Sequence, residues 1–249
     1  MAGWKAYNEL AWLEPILAPP EKYVEETEVY CKAILEHSRI KPVTMLHLGC
    51  GAGINDYTFK RYFKVTGIDI SKGMLEVAKK INPEVEYIEG DMRNVQLNRK
   101  FDVVAIPDSS GYMTNLEDLA KAFRTASSHL NEGGILFVLA HVKEEFVENN
   151  FVYSGEKDNV KVTVFENNFL IGPENNSYEA TIVYLVRTGN HLQIYSESHL
   201  IGLFESSFWY ELFKEQGFEV EDKLLLHLYD QYMAADGKYP LRMFVGMKR

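Results

Sequence analysis

Cysteine is scarce in this chain. Its two copies, Cys31 and Cys50, have neither disulfide-framework nor metal-site spacing. This argues against a stapled secreted scaffold and for a reducing, cytoplasmic setting. Positive charge is short as well: 26 Lys and Arg face 36 Asp and Glu, for a formal net charge of -10. No concentrated basic surface is available to grip a phosphate backbone, so nucleic acid is disfavoured as a partner. Long apolar runs are missing too. Stretches such as Ile135 to Ala140 are far too short to span a bilayer, and the first residues lack the basic-then-apolar order of a secretion signal. Repeats, low-complexity tracts and a metal-ligating set are absent; Asp91 and Asp108 alone make no cation site. What remains, 46% apolar and 13% aromatic, is ample for one packed unit over 1–249.

The informative segment is Met45-Leu46-His47-Leu48-Gly49-Cys50-Gly51-Ala52-Gly53, followed by Gly67-Ile68-Asp69-Ile70-Ser71. An apolar strand over 43–48 runs into a turn with three glycines, which lets the backbone bend sharply and pass close to a ligand where a Cβ would collide. A second strand over 63–70 carries an acid near its tip, placed to accept hydrogen bonds from ribose hydroxyls. The pairing predicts a nucleoside-bearing cofactor lying across two adjacent parallel strands.

The rest of the first half alternates strands and helices. Helices are predicted over 21–37, 53–62, 72–80 and 116–130, with Ser71 as the N-cap of the third and Asn131 to Gly134 as the glycine stop of the fourth. Strands are predicted over 85–88, 101–106 and 135–140, and a helix over 142–148. Such alternation implies a parallel sheet buried on both faces. Beyond residue 150 the pattern changes: 160–165, 178–187 and 192–203 read as strands without intervening helices, with Thr188-Gly189-Asn190 as a hairpin turn. This predicts an antiparallel insertion over 151–204, able to cover the cleft or to offer an edge for a homodimer. A helix over 205–216 and strands from 217 and over 241–247 complete the chain, and residues 1–40 form a helical N-terminal cap.

Three details move the cofactor from a dinucleotide to S-adenosylmethionine, one being that Asp69 is followed by Ser71 and Met74. The turn lacks the last glycine region of the dinucleotide fingerprint, Asn55-Asp56 standing there instead. A second acid with a hydrophobe, Gly90-Asp91-Met92, ends the third strand and suits an adenine amine and ring face. With Phe101 to Ala105 and Leu130 to Leu136, these motifs resemble, in order and spacing, the class I S-adenosylmethionine-dependent methyltransferases. Ser109 to Met113, Glu21-Lys22-Tyr23 and the insertion look most like the small-molecule members that include amino-sugar N-methyltransferases. The resemblance implies a Rossmann-like α/β fold: a seven-stranded, mostly parallel sheet flanked by helices, with the antiparallel insertion between strand five and the last helix. It implies that Gly49, Cys50 and Gly51 line the methionine portion of the cofactor, that Gly53 belongs to the same cofactor-binding turn, that Asp69, Ile70 and nearby Met74 hold the ribose and adenine edge, and that Asp91 and Met92 take the adenine. Pro107 or Asp108 would face the sulfonium, and Tyr23 would reach the cofactor carboxylate. His47 departs from the pattern, since the family more often carries an acid there.

The expected reaction is in-line methyl transfer to an amine or hydroxyl of a small molecule. The protein then supplies alignment and a dry pocket, and a base to leave the nucleophile unprotonated. His141, just after the fifth strand, is the candidate base, against a capping or surface role. Tyr112 and Tyr7 are candidates for positioning substrate. Trp4, Tyr7 and Trp12 lie in an apolar segment expected to pack at its base with one or two rings facing the cleft. His199 reads as solvated, and Glu25-Glu26 and Glu144-Glu145 as solvated helix faces. The competing readings are a nicotinamide-dependent oxidoreductase, a non-catalytic module binding S-adenosylmethionine or its product, and a methyltransferase of protein or RNA, the acidic balance disfavouring RNA.

Overall fold

Strands whose side chains are apolar on both faces make the centre of the molecule, with helices on either side. The computed structural model describes residues 4–172, 175–235 and 237–249. In chain order the elements are α1 (Glu14–Leu17), α2 (Val24–His37), β1 (Thr44–Leu48), α3 (Asp56–Phe59), β2 (Lys64–Asp69), α4 (Lys72–Ile81), β3 (Glu86–Glu89), β4 (Phe101–Ile106), α5 (Leu116–Ser128) and β5 (Leu130–Ala140). There follow β6 (Asn149–Lys157), β7 (Val160–Leu170), β8 (Ser177–Thr188), β9 (His191–Gly202), α6 (Ser206–Glu215), β10 (Phe218–Leu225) and β11 (Leu241–Lys248). The large sheet has seven strands in the order β10-β11-β5-β4-β1-β2-β3. It is parallel from β5 to β3, while β11 runs antiparallel to both its neighbours. Alternate side chains of one strand supply two cores. Met45, Val103, Ala105 and Phe137 pack on α2 and α3, whereas Leu46, Val104, Leu136 and Phe244 pack on α5 and α6. This is the doubly covered sheet implied by the alternating pattern.

The insertion is a second, four-stranded antiparallel sheet in the order β6-β7-β8-β9. Three of its strands coincide with the expected ones. The first, β6, went unread because Asn-Asn-Phe-Val-Tyr-Ser-Gly-Glu-Lys has too little apolar alternation; its pairing with β7 over all of Asn149 to Lys157 holds it extended. Thr188 pairs with His191, so Gly189 and Asn190 make the two-residue turn.

Other expectations shift. The helix expected over 53–62 shrinks to Asp56–Phe59, and that over 142–148 is one 3-10 turn, Lys143–Glu145. Tertiary bonds claim its acids: Glu144 accepts from the Ser206 N–H at the start of α6, and Glu145 pairs with Arg242. Helix α5 ends before Gly133-Gly134. The His129 ring receives its last turn, with Nδ1 donating to the Thr125 carbonyl at 2.7 Å and Nε2 accepting from the Leu97 N–H at 3.1 Å. The two glycines instead lie inside β5, where the pairing with β4 slips and Gly133 takes φ +74°. Among the described residues no helix is long and apolar enough to cross a membrane.

The N-terminal segment joins the two sheets. Leu10, Leu13 and Ile16 pack on Val162, Val164, Ile182 and Val186 of the small sheet, while Ala11 packs on Met74 and Val77 of α4. The approach is close enough that a Cβ added to Gly155 of β6 would fall on the Ile16 carbonyl. Gly155→Ala should therefore destabilise the protein by about 1–3 kcal/mol, measured by urea unfolding, with faster amide exchange in residues 10–17.

Candidate functional site

The loops at the C-terminal ends of the parallel strands open into two adjoining cavities, where ligands bind in open α/β sheets. The smaller, about 280 Å³, is lined by the turn after β1, the tip of β2 and the loop after β3. The larger, about 380 Å³, lies between the loops after β4 and β5, the N-terminal segment and the inner face of the small sheet. Tyr7 and Tyr112 line both, and their hydroxyls touch with rings edge to face at 5.6 Å.

The turn is built for close backbone approach. Gly49 has φ +72°, and a Cβ there would meet the Met92 methyl at 2.8 Å and the Ser109 side chain. Gly51 has φ +53°, and the place of its missing Cβ is open space. Asp69 accepts the Gly51 N–H and the Ser71 N–H, each at 2.8 Å. Burial raises its pKa, while those two N–H groups pull it back. Each carboxylate oxygen retains a lone pair for a further donor such as a hydroxyl, so the residues present fit a ribose. Asp91 and Met92 line the same cavity with Ile70. The Arg93 guanidinium, which also holds Asp118 at 2.7 Å, keeps the Asp91 pKa below the usual range.

The turn rests on a buried polar network. His47 Nδ1 lies 2.6 Å from Asp56 Oδ1, Tyr87 donates to Asp56 Oδ2 at 2.9 Å, and Asn82 donates to the Gly53 carbonyl at 2.8 Å. The unusual His47 thus lines neither cavity. Its ring turns into the sheet-helix core to hold Asp56, which is itself fully buried. Cys50, Gly53 and Met74 also lie outside both linings. Cys50 has its thiol buried with its pKa pushed up by desolvation, and Met74 belongs to the contact between α4 and the N-terminal segment.

The larger cavity gathers Tyr23, Pro107, Tyr112, Tyr7 and His141. Serines set the loop after β4: Ser109 donates to the Leu48 carbonyl at 3.1 Å and Ser110 to the Leu139 carbonyl at 2.9 Å. Asp108 sits between them and the strand tip in the left-handed region, φ +58°, a strain tolerated best by Gly, Asn and Asp. The residue borders the larger cavity while remaining exposed. Removal from solvent, then the charges of Glu26 and Glu166, push its pKa up to about 7. His141 donates from Nδ1 to the Pro240 carbonyl at 2.9 Å, which fixes Nε2 as the unprotonated nitrogen, and Nε2 has no partner. Burial pushes its pKa down to about 4.

Several residues here escape a reading of the chain alone. His199 is not solvated but 1% exposed, stacked on Trp4 at 3.9 Å. The polar members of β9 turn inward for different partners: Glu197 accepts from the Lys5 and Ala6 N–H groups, and His199 lines the larger cavity; alternation was legible, but its direction was not. Glu26 is likewise no solvated helix face: it accepts from Tyr30 at 2.5 Å and from Tyr229 at 2.9 Å. The i, i+4 spacing of Glu26 and Tyr30 was the only local signal. Glu14 and Glu166 complete the set, the latter held by Asn168 at 2.9 Å. As expected, the N-terminal segment is packed at its base and turns rings inward, Tyr7 among them.

Comparison with known proteins adds to this geometry. Residues 45–134 match a family model described as a methyltransferase domain. The chain is 27% identical over 180 residues to a dTDP-3-amino-3,4,6-trideoxy-alpha-D-glucopyranose N,N-dimethyltransferase of Streptomyces venezuelae, covering 72% of this chain and 76% of that one. It is 25% identical over 185 residues to a dTDP-4-amino-2,3,4,6-tetradeoxy-D-glucose N,N-dimethyltransferase of Saccharopolyspora spinosa, covering 72% of each. Among solved structures, Streptomyces venezuelae DesVI superposes with a TM-score of 0.78 at 25% identity over 94% of both chains. The sugar N-methyltransferase KedS8 from Streptoalloteichus, with a TM-score of 0.75 at 22% identity over 90% of this chain and 87% of that one, shares the fold.

Removing the network under the turn has a definite cost. Asp56→Ala leaves the buried donors of His47 and Tyr87 unpaired and should destabilise the protein by roughly 1–3 kcal/mol, read from urea unfolding; Asp56→Asn, which keeps an acceptor, should lose less.

Proposed function

Because this chain is a class I S-adenosylmethionine-dependent methyltransferase, we propose that it methylates the amino group of a small molecule held in the larger cavity, with Asp108 as the proton acceptor. The observation that carries this reading is the pair of cavities meeting at Tyr7 and Tyr112, one suited to a nucleoside and the other closed by aromatic and acidic side chains. The relatives named for N,N-dimethylation of amino sugars support an amine over a hydroxyl and make amino sugars the first acceptors to screen. We further propose a cytoplasmic setting, supported by two buried, unpaired thiols, and a homodimer through an edge of the small sheet.

In this reading Gly49, Gly51, Asp69, Ile70, Asp91 and Met92 hold the adenosine half of the cofactor. Tyr23 and Pro107 flank its methionine half at the edge of the larger cavity. Cys50, Gly53 and Met74 shape the turn and α4 from behind. When bound, the cofactor supplies an already activated methyl group on a sulfonium. The chain's own task is to hold the acceptor in register, an alignment worth about 7–11 kcal/mol of barrier, and to keep its nitrogen unprotonated. Asp108 is matched to that second task. A base works best with a pKa near the working pH, and its carboxyl titrates near 7. His141 is not so matched: with a pKa near 4 it stays neutral and accepts a hydrogen bond from the acceptor through Nε2. Tyr7 and Tyr112 have pKa values raised by burial and remain neutral hydroxyls, positioning substrate and closing the junction.

Two experiments test this. Isothermal titration should show S-adenosylmethionine and S-adenosylhomocysteine binding to the wild type, no binding to Asp69→Ala, and no heat with NAD; retention by the mutant would remove Asp69 from the site. Below its pKa Asp108 is protonated and cannot take a proton, so kcat/KM should rise with pH through about 7. Asp108→Asn should erase that inflection and lower the rate by roughly 10²–10⁴-fold, whereas His141→Gln should keep it. A wild-type profile flat through neutrality would exclude Asp108 as the base.

A further inference from the structure

The larger cavity has an unusual balance of charge. Its walls carry Glu14, Glu26, Asp108 and Glu166, ten tyrosines and two histidines, and among the described residues no lysine or arginine. The nearby Arg242 does not supply the missing charge, for its guanidinium is held between Glu145 and Asp222. Glu26 and Glu166 repel Asp108; Glu14, Glu26 and Glu166 are partly buried, and each of the four acids has its pKa raised, first by desolvation. The protein thus sustains unneutralised acid in a confined space, which costs free energy in the absence of a cationic partner. A second feature points the same way. His141 is 8% exposed, and its Nε2, a pure acceptor in this tautomer, has no partner. The wall therefore presents acceptors and aromatic faces, the combination that holds ammonium groups by charge, hydrogen bonding and ring contact.

We infer that the methyl acceptor is a phosphate-free compound with at least two ammonium groups, one deprotonated at Asp108 for methylation and another held by Glu166 on the small sheet. This rests on the methyltransferase reading above and narrows it. It also separates this chain from relatives named for dTDP-linked sugars, because a diphosphate would bring like charge against four carboxylates with no cation to receive it. Glu166 is the natural second anchor. Asn168 fixes one of its oxygens at 2.9 Å, and Tyr153 lies 3.5 Å from the other. Two scaffolds share this chemistry, a linear polyamine and a diamino ring such as an aminocyclitol.

The test is calorimetric titration of the S-adenosylhomocysteine-loaded protein with spermidine, 2-deoxystreptamine, glucosamine as a monoamine, and a dTDP-linked amino sugar. Spermidine or 2-deoxystreptamine should bind most tightly, and whichever does so identifies the scaffold. Glu166→Gln, which keeps the contacts to Asn168 and Tyr153, should weaken that compound roughly tenfold or more and leave glucosamine unchanged. Glu14→Gln gives an independent second variant with the same expected direction. Tightest binding by the dTDP sugar, binding of neither diammonium compound, or equal loss for the monoamine in both variants would each overturn the inference. Failure of S-adenosylhomocysteine itself to bind would instead overturn the methyltransferase site, so the two failures are distinguishable.

Discussion

The backbone N–H groups of Lys5 and Ala6 donate to the two Glu197 oxygens at 2.8 and 2.9 Å, tying the N-terminal segment to strand β9 across more than 190 positions of sequence. Much else at the site depends on that tether. It lets Trp4 stack on His199 and carries Tyr7 to Tyr112, where the two cavities meet. The backbone at Tyr7 and Asn8 then lies on the first turn of α4, so close that Gly73 has no room for a Cβ, and the Tyr7 carbonyl receives the Ser71 hydroxyl. One short segment thereby contacts the glycine-turn layer, the small sheet and both cavities. Ala6, Tyr7, Glu14 and Leu17 of this segment form one wall of the larger cavity.

Enclosure is what converts common residues into a chemical site. A glutamate on α2 or β7 in water is ionised and unremarkable. Set in a tyrosine-lined cavity with other acids, it becomes a group that favours a proton or a cation. The same physics separates the two candidate bases. Burial disfavours charge, so it lowers the pKa of His141 and raises that of Asp108. The histidine is pushed away from neutrality and the carboxyl toward it. Chain position alone had pointed to the histidine.

The motifs that were legible are those whose chemistry is local. The glycine turn takes positive φ at alternate positions, and Gly49, Gly51 and Gly53 all adopt it. Ser71 caps α4 through its bond from the Met74 N–H because capping involves only neighbours in sequence. Strand β4 was readable to the residue, being apolar at every position but Asp102. Strand β6 was not, since its extended form is imposed by pairing with β7. His47 is a sharper case: its departure from the family pattern was visible, but its contact with Asp56 was not, although Asp56 belongs to a helix that the chain alone read in the same place and longer, over 53–62.

The chain's own pattern determined the parallel sheet, its cofactor-binding edge and the presence of an antiparallel insertion, since periodicity, caps and glycine geometry act between residues close in sequence. The tertiary structure decided which acids are solvated and which share a cavity, and which way β9 turns its polar face. Those outcomes depend on water being excluded by segments far apart in the chain, Trp4 against His199 and Glu26 against Tyr229. Desolvation is a property of the assembled surface and has no local signature.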